Sequence, residues 1–262
     1  MNTIQRYVSI WAIYAKTSLQ AQLASKISTF LFVSAKLVRF VLFFILIQEI
    51  TSRTTLLAGY THTEIVVFYL TFTLIDLYTQ LIYRGVYTFA GKVRSGEFDF
   101  VLLKPVNSLF SSLIGSPDIN DIIVAFPVTF FALHYIFSLT TVAPTQFAVF
   151  FFLLICGFFI STAFHIFILC FGILTSEVDN AIWVFRSISQ FGRMPVEVYR
   201  EPIRWFITFV VPISLMMNAP VYALLEKPHF LVTISPIVTT AFLVTSVLTW
   251  NRVIRRYVGA GK

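Results

Sequence analysis

Apolar and polar positions along this chain alternate in long blocks. Ile27 to Ile50, His62 to about Tyr83, Asp118 to Leu139, Thr145 to about Leu174 and Phe230 to Trp250 are dominated by apolar residues. Each reaches the roughly 20 residues with which a helix crosses a bilayer. Residues 3 to 24 follow a different rhythm. Ile4, Tyr7, Val8, Trp11, Tyr14, Ala15, Leu19 and Leu23 recur at three- and four-residue spacing, opposite Gln5, Arg6, Lys16, Gln20 and Gln22. That pattern predicts an amphipathic helix lying in the headgroup plane, the alternative being the soluble start of the first span.

Punctuation between the blocks sharpens the elements. Thr61 with Glu64 three residues on reads as a capping box opening the second span. Ser116 followed by Pro117 opens the third, and a turn at Thr140 to Pro144 separates it from the fourth. Ser176 and Asp179 are expected to cap a shorter fifth helix that runs through Gln190 and carries Arg186. From Gly192 to Pro228 the prolines at 195, 202, 212, 220 and 228 divide the apolar sequence into pieces too short to span. This favours a re-entrant helix pair over residues 193–228, the alternative being one proline-kinked span. The expected fold is therefore all-α and polytopic. It is a single domain over residues 1–262, with six transmembrane helices, an interface helix over 3–26 and a re-entrant pair before the last span.

Composition agrees: 58% of residues are hydrophobic and 12% charged, with mean hydropathy +0.85, far from the roughly 25% charged share of soluble domains. The net charge of +7 raises the question of nucleic acid. The basic residues flank the apolar blocks, however, so anionic lipid headgroups are the expected counterpart and no nucleic acid is. Arg6, Lys16, Lys26, Arg84, Lys92, Arg94, Lys104, Arg252, Arg255, Arg256 and Lys262 fall on one side of the six-span arrangement, and Arg53, Arg193, Arg200, Arg204 and Lys227 on the other. The positive-inside rule puts the first set, and both termini, in the cytoplasm. Cys156 and Cys170 share one apolar block and match no metal or redox spacing, so they read as small buried hydrophobes. No short apolar run with a small-residue cleavage site opens the chain, so no cleaved signal peptide is expected.

Two sets of residues interrupt the apolar blocks: the first is expected to neutralise itself and fix helix packing, the alternative being a role in translocation, and the second to serve a partner. Lys36 and Arg39 lie near the middle of the first span and Asp76 near the middle of the second. Charges at that depth are costly, and antiparallel helices bring the three to similar depth, which predicts an intramembrane ion pair between Asp76 and one of the bases. The second set is the interval Arg84 to Asn107, RGVYTFAGKVRSGEFDFVLLKPVN, within a loop of residues 84–116. It is too charged for hydrocarbon, and its apolar residues Val93, Phe98, Phe100, Val101, Leu102 and Leu103 are too many for an idle linker. Gly91 and Gly96 are expected to break its helices and Pro105 to stop them. Such a loop suits a partner in water.

No phosphate-binding loop, nucleophile elbow, zinc-protease motif or clustered carboxylate pair occurs, and His134 and His165 have no carboxylate neighbours at ligand spacing. The chain offers a membrane path and a docking surface without an engine.

GYTHTEIVVFYL at Gly59 to Leu70, VRSGEFDFVLLKPVN at Val93 to Asn107, RMPVEVYREPIRWFITFVVPISLMMNAP ending at Pro220 and the terminal RRYVGAG resemble the integral membrane subunits of type 2 ABC exporters, the daunorubicin- and viologen-type branch in particular. The resemblance implies a permease without catalytic residues or a cofactor of its own. It would sit in a bacterial cytoplasmic membrane and pair with a second permease subunit and separate ATP-binding subunits that hold ATP and magnesium. It also implies that the N-terminal helix and the loop carry the ATPase-docking residues, here Arg94, Gly96, Glu97, Phe98, Asp99 and Lys104. The re-entrant pair would form an external gate, here Pro195, Tyr199, Pro212 and Pro220. Lys36, Arg39 and Arg186 depart from a permease handling only greasy drugs. Two other classes compete: a polytopic lipid-modifying enzyme using Asp76, His134 or His165, and a non-transporting scaffold or immunity protein.

Overall fold

A computed structural model describes residues 3–53, 55–115, 117–138, 142–175 and 178–259. Ser116, Thr140, Ser176, the Asp179 side chain and Lys262 lie outside the described residues. Helices account for the elements found, and no strand is formed among the described residues. The order is α1 (Thr3–Leu23), α2 (Lys26–Ser52), α3 (His62–Ile82), a 3-10 turn (Arg84–Thr88), α4 (Phe89–Arg94), α5 (Glu97–Leu103), α6 (Ser108–Ile114), α7 (Ile119–Phe137), α8 (Pro144–Thr175) and α9 (Val178–Ser189). Next come 3-10 turns at Gln190–Arg193 and Val196–Val198, a bent pair of arms (Ile203–Val210 and Ser214–Leu224), and a last helix, α10 (Phe230–Ile254).

The protein is an all-α, multi-pass membrane protein. Among the described residues, five helices are individually long and apolar enough to cross a bilayer: α2, α3, α7 as Asn120–Phe137, α8 and α10. α3 is the central one. Its capping box forms as expected, with the Glu64 amide donating to Thr61 Oγ1 and the Thr61 amide to Glu64 Oε2 (3.4 and 2.7 Å). From Ile65 to Leu70 every side chain is buried. By contrast α2, 27 residues and so about 40 Å long, buries only Ile47 and Thr51, leaving its apolar flank for lipid or a partner.

The segment between α8 and the arms is composite. α9 begins on the side of the Arg84–Thr88 turn, where Trp183 meets the Tyr87 ring edge-on at 6.0 Å. The chain then climbs through the 3-10 turns, and by Glu197 it has reached the opposite side. There the carboxylate accepts from Tyr222 Oη (3.0 Å) and lies 3.7 Å from Nε2 of His229, which stands just before α10. The two arms therefore enter and leave on that same side, bent by 79°. Their turn reaches into the bundle where Met216 passes Gly157 of α8, a glycine at which a methyl group would overlap the Met216 carbonyl oxygen. The bent pair covers Ile203–Val210 and Ser214–Leu224, narrower than residues 193–228, and its bend is that of a broken span or a re-entrant loop. Arg193, expected in an outer loop, instead lines one cavity with Lys36, Arg39 and Asp76. The reason is that the 3-10 turns continue α9 beyond its 12 residues.

α1, α4, α5, α6 and the chain end after α10 gather on one side, here called the basic face. The arms and the α2–α3 connection lie on the other, the hairpin face. α1 joins the bundle through its ring side chains and amides. Tyr7 meets Phe110 edge-on at 4.8 Å, and Gln22 donates to Asp118 Oδ1 (3.2 Å) while accepting from the Asn120 amide (3.1 Å). Ile4, Val8 and Ile13 stay exposed. Cys156 and Cys170 are both buried and free.

Candidate functional site

On the basic face, α4 and α5 form a short helical elbow. Gly91 does not break it, since α4 runs through that position. Gly96 does: it adopts a left-handed conformation (φ +74°), which a residue without a β-carbon reaches cheaply, and α5 starts immediately after it. The helical spacing then sorts α5 into two faces. Phe98 points inward, 1% exposed, against Phe89 (5.0 Å), Tyr257 (5.3 Å) and Trp250 (6.4 Å). Phe98 is thus a root of the elbow, buried in this aromatic cluster, where it was expected to face a partner. Asp99 faces the chain end, with Gly259 nearby. The outward face carries Glu97, Phe100 (67% exposed), Leu103 (80% exposed) and Lys104, with Arg94 also exposed. The apolar side chains open to a partner on α5 are thus Phe100 and Leu103 in place of Phe98. A helical wheel drawn from Gly96, instead of from the loop as a whole, separates them. Lys92 is half-buried beneath the elbow, and burial pulls its ammonium below the usual lysine range.

The interior charges are arranged differently from the expectation. Lys36 does not pair with Asp76; it forms a hydrogen-bonded ion pair with Asp121, which is completely buried in the first turn of α7. Lysine at mid-span bends its flexible stem toward the nearer interface, and Asp121 stands in that direction while Asp76 does not. Asp118, the N-cap of α7, also lies 3.5 Å from Arg84. Asp121 was the acid to weigh, and its position three residues after an N-cap aspartate disguised it as an ordinary helix-start charge.

Asp76 instead accepts from Gln80 Nε2 (2.6 Å), and no cation lies within 4.0 Å of it among the described residues. The bases are still close by. Lys36, Arg39, Tyr69, Thr73, Asp76, Gln80 and Arg193 line one cavity of about 50 Å³ between α2, α3, α7 and the composite segment. Arg193 sits over the rings of Phe43 (4.2 Å) and Phe72 (5.0 Å), and its Nε is buried without an acceptor. His165 is elsewhere, beside Tyr83 (5.0 Å) with Nδ1 at the Ser161 carbonyl (2.8 Å), and His134 stacks on Phe130 (6.2 Å). Neither histidine reaches the Asp76 cavity, which removes the convergence that the enzyme reading needs.

At the hairpin face Lys227 joins Glu64 (3.0 Å) and lies over the Tyr60 ring (3.9 Å), while Tyr222 stacks on His229 (4.4 Å). Of the four expected gate residues, Pro212 stands at the turn between the arms and Pro220 in the second arm. Pro195 tops the composite segment, and Tyr199 packs edge-on to Phe191 (5.2 Å).

A multi-pass helical membrane protein with a sharply bent helix pair and a helical elbow on one face is thus defined. A family model described as "ABC-2 family transporter protein" matches residues 37–261, and the chain belongs to that family of ABC-transporter permeases. Neither a curated protein nor a solved structure matches the chain.

Proposed function

We propose that this chain is the translocating subunit of an exporter of the daunorubicin- and viologen-type branch, driven by a separate ATP-binding subunit that docks on the elbow. Family membership supports the permease role. The observation that carries the docking role is the division of α5: Phe98 anchors one face in the aromatic cluster while Phe100 and Leu103 stand exposed on the other. Exposed large apolar side chains rimmed by Glu97, Arg94 and Lys104 have the anatomy of a contact surface. In this reading the basic face is cytoplasmic, ATP and magnesium belong to the partner, and a second permease subunit completes the pathway in a bacterial cytoplasmic membrane.

The mechanism follows from the anchoring. A push on the outward face of α5 is transmitted through Phe98 to Trp250 of α10, and through the Arg84–Thr88 turn to α3. The elbow is packed onto these helices and cannot swing independently of them. Both helices also end at the hairpin face, where Glu64 and His229 hold the arms. An inward movement of the elbow thereby reaches the bent pair.

Replacing Phe100 and Leu103 together by serine tests the docking. The pair is exposed, so the fold is expected to survive, and copurification of an ATP-binding subunit together with its stimulated hydrolysis is expected to drop about tenfold or more. Unchanged copurification and hydrolysis would remove the elbow from the docking role.

A further inference from the structure

The mid-membrane cavity carries more positive than negative charge. Its lining holds Lys36, Arg39 and Arg193 against one carboxylate, Asp76. Lys36 is already matched by Asp121 outside the lining. Two guanidinium groups therefore face a single carboxylate that is itself engaged by Gln80. No ion pair within 4.0 Å among the described residues takes in Arg39 or Arg193. Arginine cannot shed its proton, so this surplus is permanent. A charge held at the middle of a span is costly unless a partner or water compensates it, and Arg39 lies about 20 Å along the roughly 40 Å of α2.

We infer that the cavity is a binding site for the anionic head of an amphiphile, a carboxylate or a phosphate. Arg193 presents a guanidinium held in place between Phe43 and Phe72, with its Nε buried and unpartnered. Arg39 stands exposed at the mouth, beside Phe40 and Phe43. Forked guanidinium donors match two-oxygen anions. The volume of about 50 Å³ accommodates a few waters, hence a head group, but not a whole amphiphile. The tail then runs along the exposed apolar side of α2, where Val38 (56%), Leu42 (60%) and Leu46 (50%) are exposed. Asp76 serves as the resting counter-charge and competes with the ligand. This assigns a substrate class to the permease proposed above and rests on that reading for transport, though not for binding.

The test uses the full chain in phosphatidylcholine nanodiscs, with equilibrium binding of dodecyl phosphate and dodecanoate, and dodecyltrimethylammonium as the opposite charge. Arg39→Gln and Arg193→Gln are each expected to weaken binding of the anions about tenfold, and Arg53→Gln to leave it unchanged. Asp76→Asn is expected to tighten it severalfold, a gain that a misfolded variant cannot produce. Anion binding unaltered in both arginine variants, or equal binding of the cationic probe, overturns the inference. A second set of nanodiscs containing phosphatidylglycerol separates the sources. Competition that disappears in Arg39→Gln identifies a lipid headgroup as the resident anion; no competition identifies the free amphiphile, and both uphold the site. Intact anion binding alongside no copurifying ATPase would count against the ATP-driven docking reading alone.

Discussion

Asp121 shows how one residue decides the electrostatics of a span. It is fully buried, and the Lys36 ammonium, brought by a stem that leans out of the membrane middle, is its matching charge. Removing one member of such a pair strands the other in a medium that cannot solvate it, whereas replacing both with apolar groups of similar size removes the desolvation problem altogether. Lys36→Met is accordingly expected to destabilise the protein by about 3–5 kcal/mol. Lys36→Met with Asp121→Leu is expected to recover most of that loss, both measured as thermal unfolding in mild detergent. If the double variant is as unstable as the single one, the pair is not what holds α2 to α7. The sequence allowed the need for a counter-charge to be read, because bases at mid-span are rare. It did not reveal which acid, because Asp121, three residues after the N-cap Asp118, reads as an ordinary helix-start charge until packing brings α7 beside α2.

Among the elements, those built on a strong local signal were legible and those built on tertiary contact were not. The start of α3 could be read from Thr61 and Glu64 because a capping box is local chemistry that closes within four residues. The composite segment could not be bounded, since α9, two 3-10 turns and Pro195 join only where Gly192 lets Met217 approach and the arms press against it. Prolines mark where a helix ends without saying on which side of the membrane the chain resumes. The glycines make the same distinction testable. Gly157→Ala places a methyl against the Met216 backbone and is expected to cost about 1–3 kcal/mol while loosening the arms. Gly91→Ala meets nothing within 4 Å in α4 and is expected to stabilise by about 0.5–1 kcal/mol. Thermal unfolding reads the first, and protease sensitivity of the arms confirms where it acts. A neutral Gly157→Ala would mean that the arms are not seated on α8.

Across the whole molecule, α3 and α10 each link the basic face to the hairpin face, and the hairpin end of this linkage has a titratable part. The His229 ring accepts the Leu231 amide at Nδ1 (3.2 Å), capping α10, and presents Nε2 to Glu197 at 3.7 Å. With Nδ1 acting as acceptor, the proton of the neutral ring is on Nε2. A second proton would have to enter at Nδ1 and would set two donors against each other. Burial holds the His229 pKa below its ordinary 6.5, Glu197 opposes this in part, and Arg204 adds to it. A histidine with a lowered folded-state pKa favours folding fully above the unfolded value of about 6.5. That contribution diminishes as the pH falls through 6.5 toward the folded value. The midpoint of thermal unfolding should therefore hold level from pH 8 to about 7 and decline below about 6.5. Asparagine caps helices without titrating, so His229→Asn should keep the plateau and flatten the decline. Loosening of this end at low pH should also raise protease cleavage between the arms and α10 while leaving the elbow around Phe98 protected, since nothing in that aromatic cluster changes charge over the same range. Equal declines in the parent and His229→Asn would assign the acid sensitivity to some other group and leave the two faces mechanically independent of His229.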